Sequence, residues 1–247
     1  MLKASERTTL AVPALPSESG LASFVATAFA VLAKDVRSEL RARQAVSGSV
    51  VFGLLVVVIF NFAFDLEGEA GEAAGAGALW VAIVLAAMIG FNFIFAQERE
   101  QGGMEGLLLS SPDPSAIFFG KLAGALLFTL ALEMVLFPAF ALFAGVSLLS
   151  PGLPVLTLLG TIGFVTVGTL FSAMAVTSRS RELFLPLLLL PIAAPVLIAA
   201  AEGTRAVIQD QPLRDLLPAI SLLGAFDVVF LALSPPLFQF VMEEMAS

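Results

Sequence analysis

The chain has 247 residues, 59% of them hydrophobic and 13% charged, with mean hydropathy +1.00 and a net charge of -8. Soluble domains carry about a quarter charged residues, so the composition excludes one and marks an integral membrane protein; the acidic balance offers no basic patch for nucleic acid. Cys, His and Tyr are absent, which removes disulfides, thiolate sites, the commonest general base and most heme-iron ligands, and leaves seven Met whose ordinary role is packing in apolar helices.

Residues 1–20 hold two prolines and no apolar core of the kind a signal peptide needs, and read as a mobile cytoplasmic tail. Over 21–44, Val25, Phe29, Leu32, Val36 and Leu40 recur at spacings of three and four, with Lys34, Arg37, Ser38 and Arg41 opposite. That pattern predicts an amphipathic helix lying in the membrane interface; a soluble helix packed on another domain is the competing reading.

Six apolar runs long enough to span a bilayer follow within 45–247. The first two cover 46–64 and 78–96. The third stays apolar from Ile117 to Leu149, about 50 Å as one helix against about 30 Å of hydrocarbon, so it breaks or protrudes, with Pro138 the expected break. The fourth covers 154–177. The fifth, ELFLPLLLLPIAAPVLIAAA, contains Pro186, Pro191 and Pro195 and is expected to kink. The sixth covers 217–242 with an expected break at Ser234-Pro235-Pro236.

Lys and Arg concentrate on the cytoplasmic side of membrane proteins. Ten of the twelve here fall in segments on one side, and only Arg205 and Arg214 fall opposite, while the loop between spans one and two carries Asp65, Glu67, Glu69 and Glu72. Both termini are therefore expected in the cytoplasm, together with the loop QEREQGGMEGLLLSSPDPSAIFFGK at 97–121. There Gly102-Gly103 ends one stem and Met104–Ser110 forms a short helix ridged by Leu107, Leu108 and Leu109. Ser111-Pro112 stops that helix, and Asp113-Pro114 reads as N-cap and first-turn proline of span three. An exposed apolar ridge on two stems needs a docking partner; the alternative is a re-entrant turn whose leucines face lipid.

The chain has no phosphate-binding loop for ATP. Gly120-Lys121 is followed by Leu122 and preceded by Ser115 where the first glycine of G-x-x-x-x-G-K-[ST] belongs, so any ATPase is a separate polypeptide. Glu133 and Asp227 lie inside spans, in the expected outer half, and Arg181-Glu182 stands at the cytoplasmic mouth of span five. Ionisable groups there are either functional or structural, protonated or hydrogen-bonded. No pair of residues has the make-up of a catalytic acid and base.

The 97–121 loop resembles the cytosolic loop of type-two ABC exporter membrane subunits, in which Glu, Gly, a leucine pair and Ser-Pro precede an apolar pair and Gly-Lys. Together with KDVRSELRARQAV, LEMVLFPAF and SRSRELFLPLLLLPIAAPVLIAA, it is similar to the heme exporter protein B (CcmB) family over about residues 33–240. The N-terminal tail and the Arg205 to Asp215 segment depart from that pattern. The resemblance implies an all-α, six-span permease bundle with an N-terminal interfacial helix and a cytosolic coupling helix, placed in the bacterial cytoplasmic membrane as a homodimer. It implies an ABC ATPase partner (CcmA-like) that binds ATP, a heme-handling membrane protein (CcmC-like), a small membrane subunit (CcmD-like) and a heme chaperone (CcmE-like), with no enzyme activity and no cofactor in this chain. ATP would serve to release the loaded chaperone. Glu98, Glu100, Gly103, Glu105, Leu107, Leu108, Leu109 and Pro112 would couple to the ATPase, and Glu133, Asp227, Arg181 and Glu182 would contact partners within or at the edge of the membrane. A type-two exporter of a lipid, polysaccharide or drug is the alternative. A secondary transporter fits least, for want of paired midplane charges and an internal repeat.

Overall fold

The computed structural model describes residues 20–42, 44–63, 68–100, 113–148, 150–175 and 181–246. Among these residues every regular element is a helix: α1 (Gly20–Ala42), α2 (Gln44–Ala63), α3 (Gly68–Glu100), α4 (Pro114–Ala144), α5 (Gly152–Ala175), α6 (Arg181–Ile208) and α7 (Leu213–Ala246). Helices satisfy their own backbone polar groups, as a chain without water around it must. The six from α2 to α7 are long and apolar enough to cross a membrane, and the protein is an all-α, multi-pass membrane protein.

The prolines do not break the helices as the sequence predicts. α4 runs unbroken through Pro138 and ends seven residues later at Gly145, whose φ of 65° and ψ of 24° form a left-handed cap, its N–H donating to the Ala141 carbonyl. At 31 residues it is about 46 Å long, so it outreaches the hydrocarbon instead of breaking within it. α7 continues through Pro218, Pro235 and Pro236; α6, for which the sequence predicts a kink and not a break, is likewise one helix through Pro191 and Pro195. Opening a helix in lipid strands several backbone groups, whereas a proline removes one hydrogen bond and adds a local clash. Continuity is the smaller cost.

α5 is the centre of the bundle, packed against α6 and α7 and touching α3 and α4. Phe164 of α5 is fully buried, as are Phe91, Phe118 and Phe238 of its neighbours. Its glycines allow this: a Cβ on Gly168 would stand 2.4 Å from the Phe91 ring.

α1 packs along α4 with a face that takes in only the later part of the apolar stripe the sequence pattern picks out: Leu32 reaches Gly124, where a Cβ would meet its Cδ1 at 3.9 Å. Phe24 meets Phe119 edge-on at 5.9 Å. Val31 is buried, and a Cβ on Gly120 would lie 2.6 Å from the Ala28 carbonyl oxygen. Leu21, Val25 and Phe29 are exposed. The helix thus has one apolar face against α4 and a second turned outward, which a single periodicity does not separate.

Candidate functional site

The sequence places two sets of candidates on this scaffold: the loop joining α3 to α4, and the ionisable groups inside the spans. Glu98 and Glu100 fall in the last turn of α3. Gly103, Glu105, Leu107, Leu108, Leu109 and Pro112 lie outside the described residues. Arg181 and Glu182 open α6.

The far stem of the loop begins as the sequence predicts. Asp113 is the N-cap of α4, with φ -123° and ψ 100°, and its Oδ1 accepts from the Ser115 N–H at 2.9 Å. Pro114 takes the first helical position, where its missing N–H has no intrahelical use. Two turns further on, Lys121 is buried and donates to Asp35 Oδ2 of α1 at 2.9 Å. Asp35 also lies 3.5 Å from Lys34 Nζ. Sequence reasoning weighed Lys121 as a cytoplasmic-side charge, as part of the loop pattern and as a phosphate ligand, and missed this clamp, which ties α1 to the base of α4 across 86 residues of chain.

Inside the bundle, Glu133 of α4 is 3% exposed and accepts from Thr161 Oγ1 of α5 at 2.7 Å through Oε1. The same hydroxyl lies 2.7 Å from the Thr157 carbonyl, and its one proton serves either acceptor. Glu133 Oε2 has no hydrogen-bond partner among the described residues. Asp227 of α7 is 4% exposed, with neither carboxyl oxygen partnered among the described residues. It lies against Gly163 of α5, where a Cβ would come within 2.6 Å of its Oδ1.

Thr161 and Gly163 are two positions apart, a rotation of about 200° on a helix. The two carboxyl groups therefore reach α5 at nearly the same depth but on opposite faces, close to the middle of that helix. The structure does not join them into one site. One turn away, Trp80 of α3 donates to Thr204 Oγ1 of α6 at 2.9 Å and meets Phe137 edge-on at 6.2 Å. A Cβ on Gly160 would stand 2.8 Å from the Trp80 ring. No sequence signal marked that polar link, since Trp80 reads as one more apolar residue in its span.

These contacts join α3 to α6 and α4 to α5. Among the described residues no group of three or more His, Cys, Asp or Glu side chains could hold a metal ion. The start of α4 is held by a cap and a buried ion pair, and the core below it is crossed by isolated polar contacts.

Comparison with known proteins bears on what such a scaffold does. The family model described as CcmB protein matches residues 26–243. The chain is 34% identical over 180 residues to Heme exporter protein B of Rhodobacter capsulatus, covering 71% of this chain and 81% of that protein. It is 32% identical over 211 residues to the protein of the same name from Paracoccus denitrificans, covering 83% and 94%. Heme exporter protein B of Pseudomonas aeruginosa is 30% identical over 191 residues, covering 74% and 82%.

Proposed function

The chain belongs to the CcmB protein family, and from that premise we propose that it is the membrane subunit of a heme-exporter complex for cytochrome c maturation, residing in the bacterial cytoplasmic membrane with both termini inside. The observation that carries this reading is the match along 26–243, which takes in the loop, both of its stems and all six spans.

Within the complex the α3–α4 loop couples this subunit to a separate ATPase. The Leu107–Leu109 ridge docks on the ATPase, and the Asp113 cap and Lys121–Asp35 clamp make the base of α4 stiff enough to pass on its movement. Heme is held by the membrane protein that handles heme and by the chaperone, with the small membrane subunit as a further partner. ATP hydrolysis releases the loaded chaperone. The amino-acid inventory supports this division of labour, because stable heme binding takes an axial His, Cys, Tyr or Met and only Met is available here. Glycan, lipid or drug export draws no support from the relatives, which share the name Heme exporter protein B.

The purified subunit should show no Soret band of ligated heme. Cells lacking it should still load the chaperone, keep it trapped on the heme-handling protein and make no mature c-type cytochromes. A heme spectrum that disappears when a Met is replaced, or normal cytochrome c in the deletion strain, would overturn the reading.

A further inference from the structure

A hydroxyl inside a helix can satisfy itself on the carbonyl four residues earlier, as Thr129 does on Ala125 at 2.9 Å and Thr161 on Thr157 at 2.7 Å. Thr166, Thr169 and Ser172 of α5 and Ser234 of α7 do not. These four are at most 1% exposed, and Asp227 of α7 is 4% exposed. None of their hydroxyls, and neither carboxyl oxygen of Asp227, has a hydrogen-bond partner among the described residues. Orphaned polar groups that a protein tolerates in its interior are commonly met by bound water.

The five side chains follow one line. A Cβ on Gly152 would meet Leu216 and one on Gly163 would meet Asp227, each at 2.6 Å, so α5 and α7 run in the same direction and stay in step, with Ser234 level with Leu170. Below Asp227 the hydroxyls of Thr166, Thr169, Ser234 and Ser172 then come in that order, no two neighbours more than about 5 Å apart along the axis. One water molecule bridges about 5.5 Å through two hydrogen bonds of about 2.8 Å. At about 100° per residue, Thr166, Thr169 and Ser172 step round α5 from the face that Gly163 turns to α7 towards the face that Thr161 turns to α4. The line descends to the end of the bundle where α4 begins. There Phe118 of α4 meets Phe238 of α7, one turn beyond Ser234, with ring centroids 5.5 Å apart.

A backbone feature points the same way. Pro235 and Pro236 leave α7 continuous but supply no N–H to the Leu231 and Ala232 carbonyls four residues before them. Freed acceptors in a membrane are met by neighbouring helices, by Ser or Thr hydroxyls or by ordered water. The nearest hydroxyl in the chain, Ser234, does not meet them. Water can donate to carbonyl and carboxyl oxygens and also accept from hydroxyls, so one ligand serves the whole line.

We propose that α4, α5 and α7 enclose a file of bound water running from Asp227 past Thr166, Thr169, Ser234 and Ser172 to the aromatic pair at the α4 end. The file gives Asp227 a route for exchanging its proton with solution at that end. No other charge competes for it among the described residues. α5 carries none, Lys121 and Glu133 of α4 are engaged with Asp35 and Thr161, and Arg181, Glu182, Glu202 and Arg205 stand towards the ends of α6. On α7 itself, Arg214 and Asp215 open the helix and Glu243 and Glu244 close it.

The chain has no cysteine, so single ones report on hydration. The full-length protein in detergent, carrying Thr166→Cys, Thr169→Cys, Ser172→Cys or Ser234→Cys, is treated with dilute silver ion, and loss of free thiol is followed with time. Thiols react as thiolates, and dry apolar burial suppresses the thiolate by about a hundredfold or more. The four positions should therefore react about a hundredfold faster than Val167→Cys and Ala86→Cys, which replace equally buried residues among apolar neighbours. Equal rates would overturn the proposal, and four separate positions keep the test valid if one variant fails to fold. The unmodified chain gives a second measurement: hydroxyl radicals made from bound water by an X-ray pulse should oxidise Phe238 and spare Phe91, although both are 0% exposed. Oxidation of Phe238 no greater than that of Phe91 would overturn it as well.

Discussion

Glu133 and Asp227 are both buried carboxyl groups in spans, yet their surroundings differ. Glu133 has a donor in Thr161 Oγ1 at 2.7 Å, so part of its role is to join α4 to α5. Hydrogen bonds between helices in lipid contribute about 0.6 kcal/mol on average and up to about 1.7. Thr161→Val keeps the shape and removes the donor, and should lower stability by about 1 kcal/mol in detergent unfolding measurements. Glu133→Gln should cost less, because the amide oxygen still accepts from Thr161. Glu133→Ala should cost about 2–3 kcal/mol through the added cavity. If Gln proved as harmful as Ala, the hydrogen bond would not be what Glu133 contributes. Asp227 has no such donor among the described residues, and we propose a functional rather than structural role for it: Asp227→Asn should leave stability unchanged while lowering the yield of mature cytochrome c, and an unchanged yield would return it to a structural residue. Sequence reading found both residues, because a carboxylate inside an apolar run stands out. Their neighbours Thr161 and Gly163 stayed hidden: a threonine and a glycine in a span carry no mark of what sits across from them.

At the scale of helices, the seam between α1 and α4 depends on one missing side chain. A Cβ on Gly120 would press on backbone, the Ala28 carbonyl oxygen, at 2.6 Å, whereas one on Gly124 would meet Asp35 Cβ at 3.6 Å, an ordinary contact. Gly120→Ala should therefore push α1 off α4, with an overpacking cost of about 1–3 kcal/mol, while Gly124→Ala should be neutral or slightly stabilising. Hydrogen exchange over residues 24–35 checks both, and equal protection in the two variants would count against the seam. The α3–α4 loop has its own test: Leu108→Asp places a charge where an apolar contact is proposed, which should cost several kcal/mol and abolish co-purification of the ATPase while membrane insertion continues. Unchanged co-purification would return the ridge to a lipid-facing turn. The elements themselves were legible where the signal is local. Six apolar runs became six helices, and Asp113-Pro114 became the cap it spells. The prolines of spans three and six misled because their usual breaking power is measured against water, which accepts the freed carbonyls; inside a bilayer no such alternative exists, and α4 and α7 run on. The Lys121–Asp35 clamp was illegible for another reason, since no local pattern pairs residues 86 positions apart.

For the molecule as a whole, the arrangement of charge can be compared with the order of spans. Lys34, Asp35 and Lys121 meet where α4 begins, so the basic end of α1 and the start of span three share one end of the bundle. Arg205 and Arg214 lie at the opposite end, beside the turn from α6 to α7, where Glu202 and Asp215 flank a small polar cleft. With six spans, the ends of α3, α5 and α7 fall on the side where α4 starts, the side that holds ten of the twelve basic residues. Basic loops resist transfer across the membrane during insertion, so that side should be cytoplasmic. A reporter active only in the cytosol should then work when fused after Gln101, after Ser180 or at Ser247, and fail after Gly71 near the start of α3. The four fusions are independent: activity at Gly71 together with silence at Gln101 would invert the orientation, and with it the placing of the loop on the ATP side. Activity at Gln101 with silence at Ser180 would instead mean that one of α4 and α5 does not cross, because those two helices lie between the fusion points.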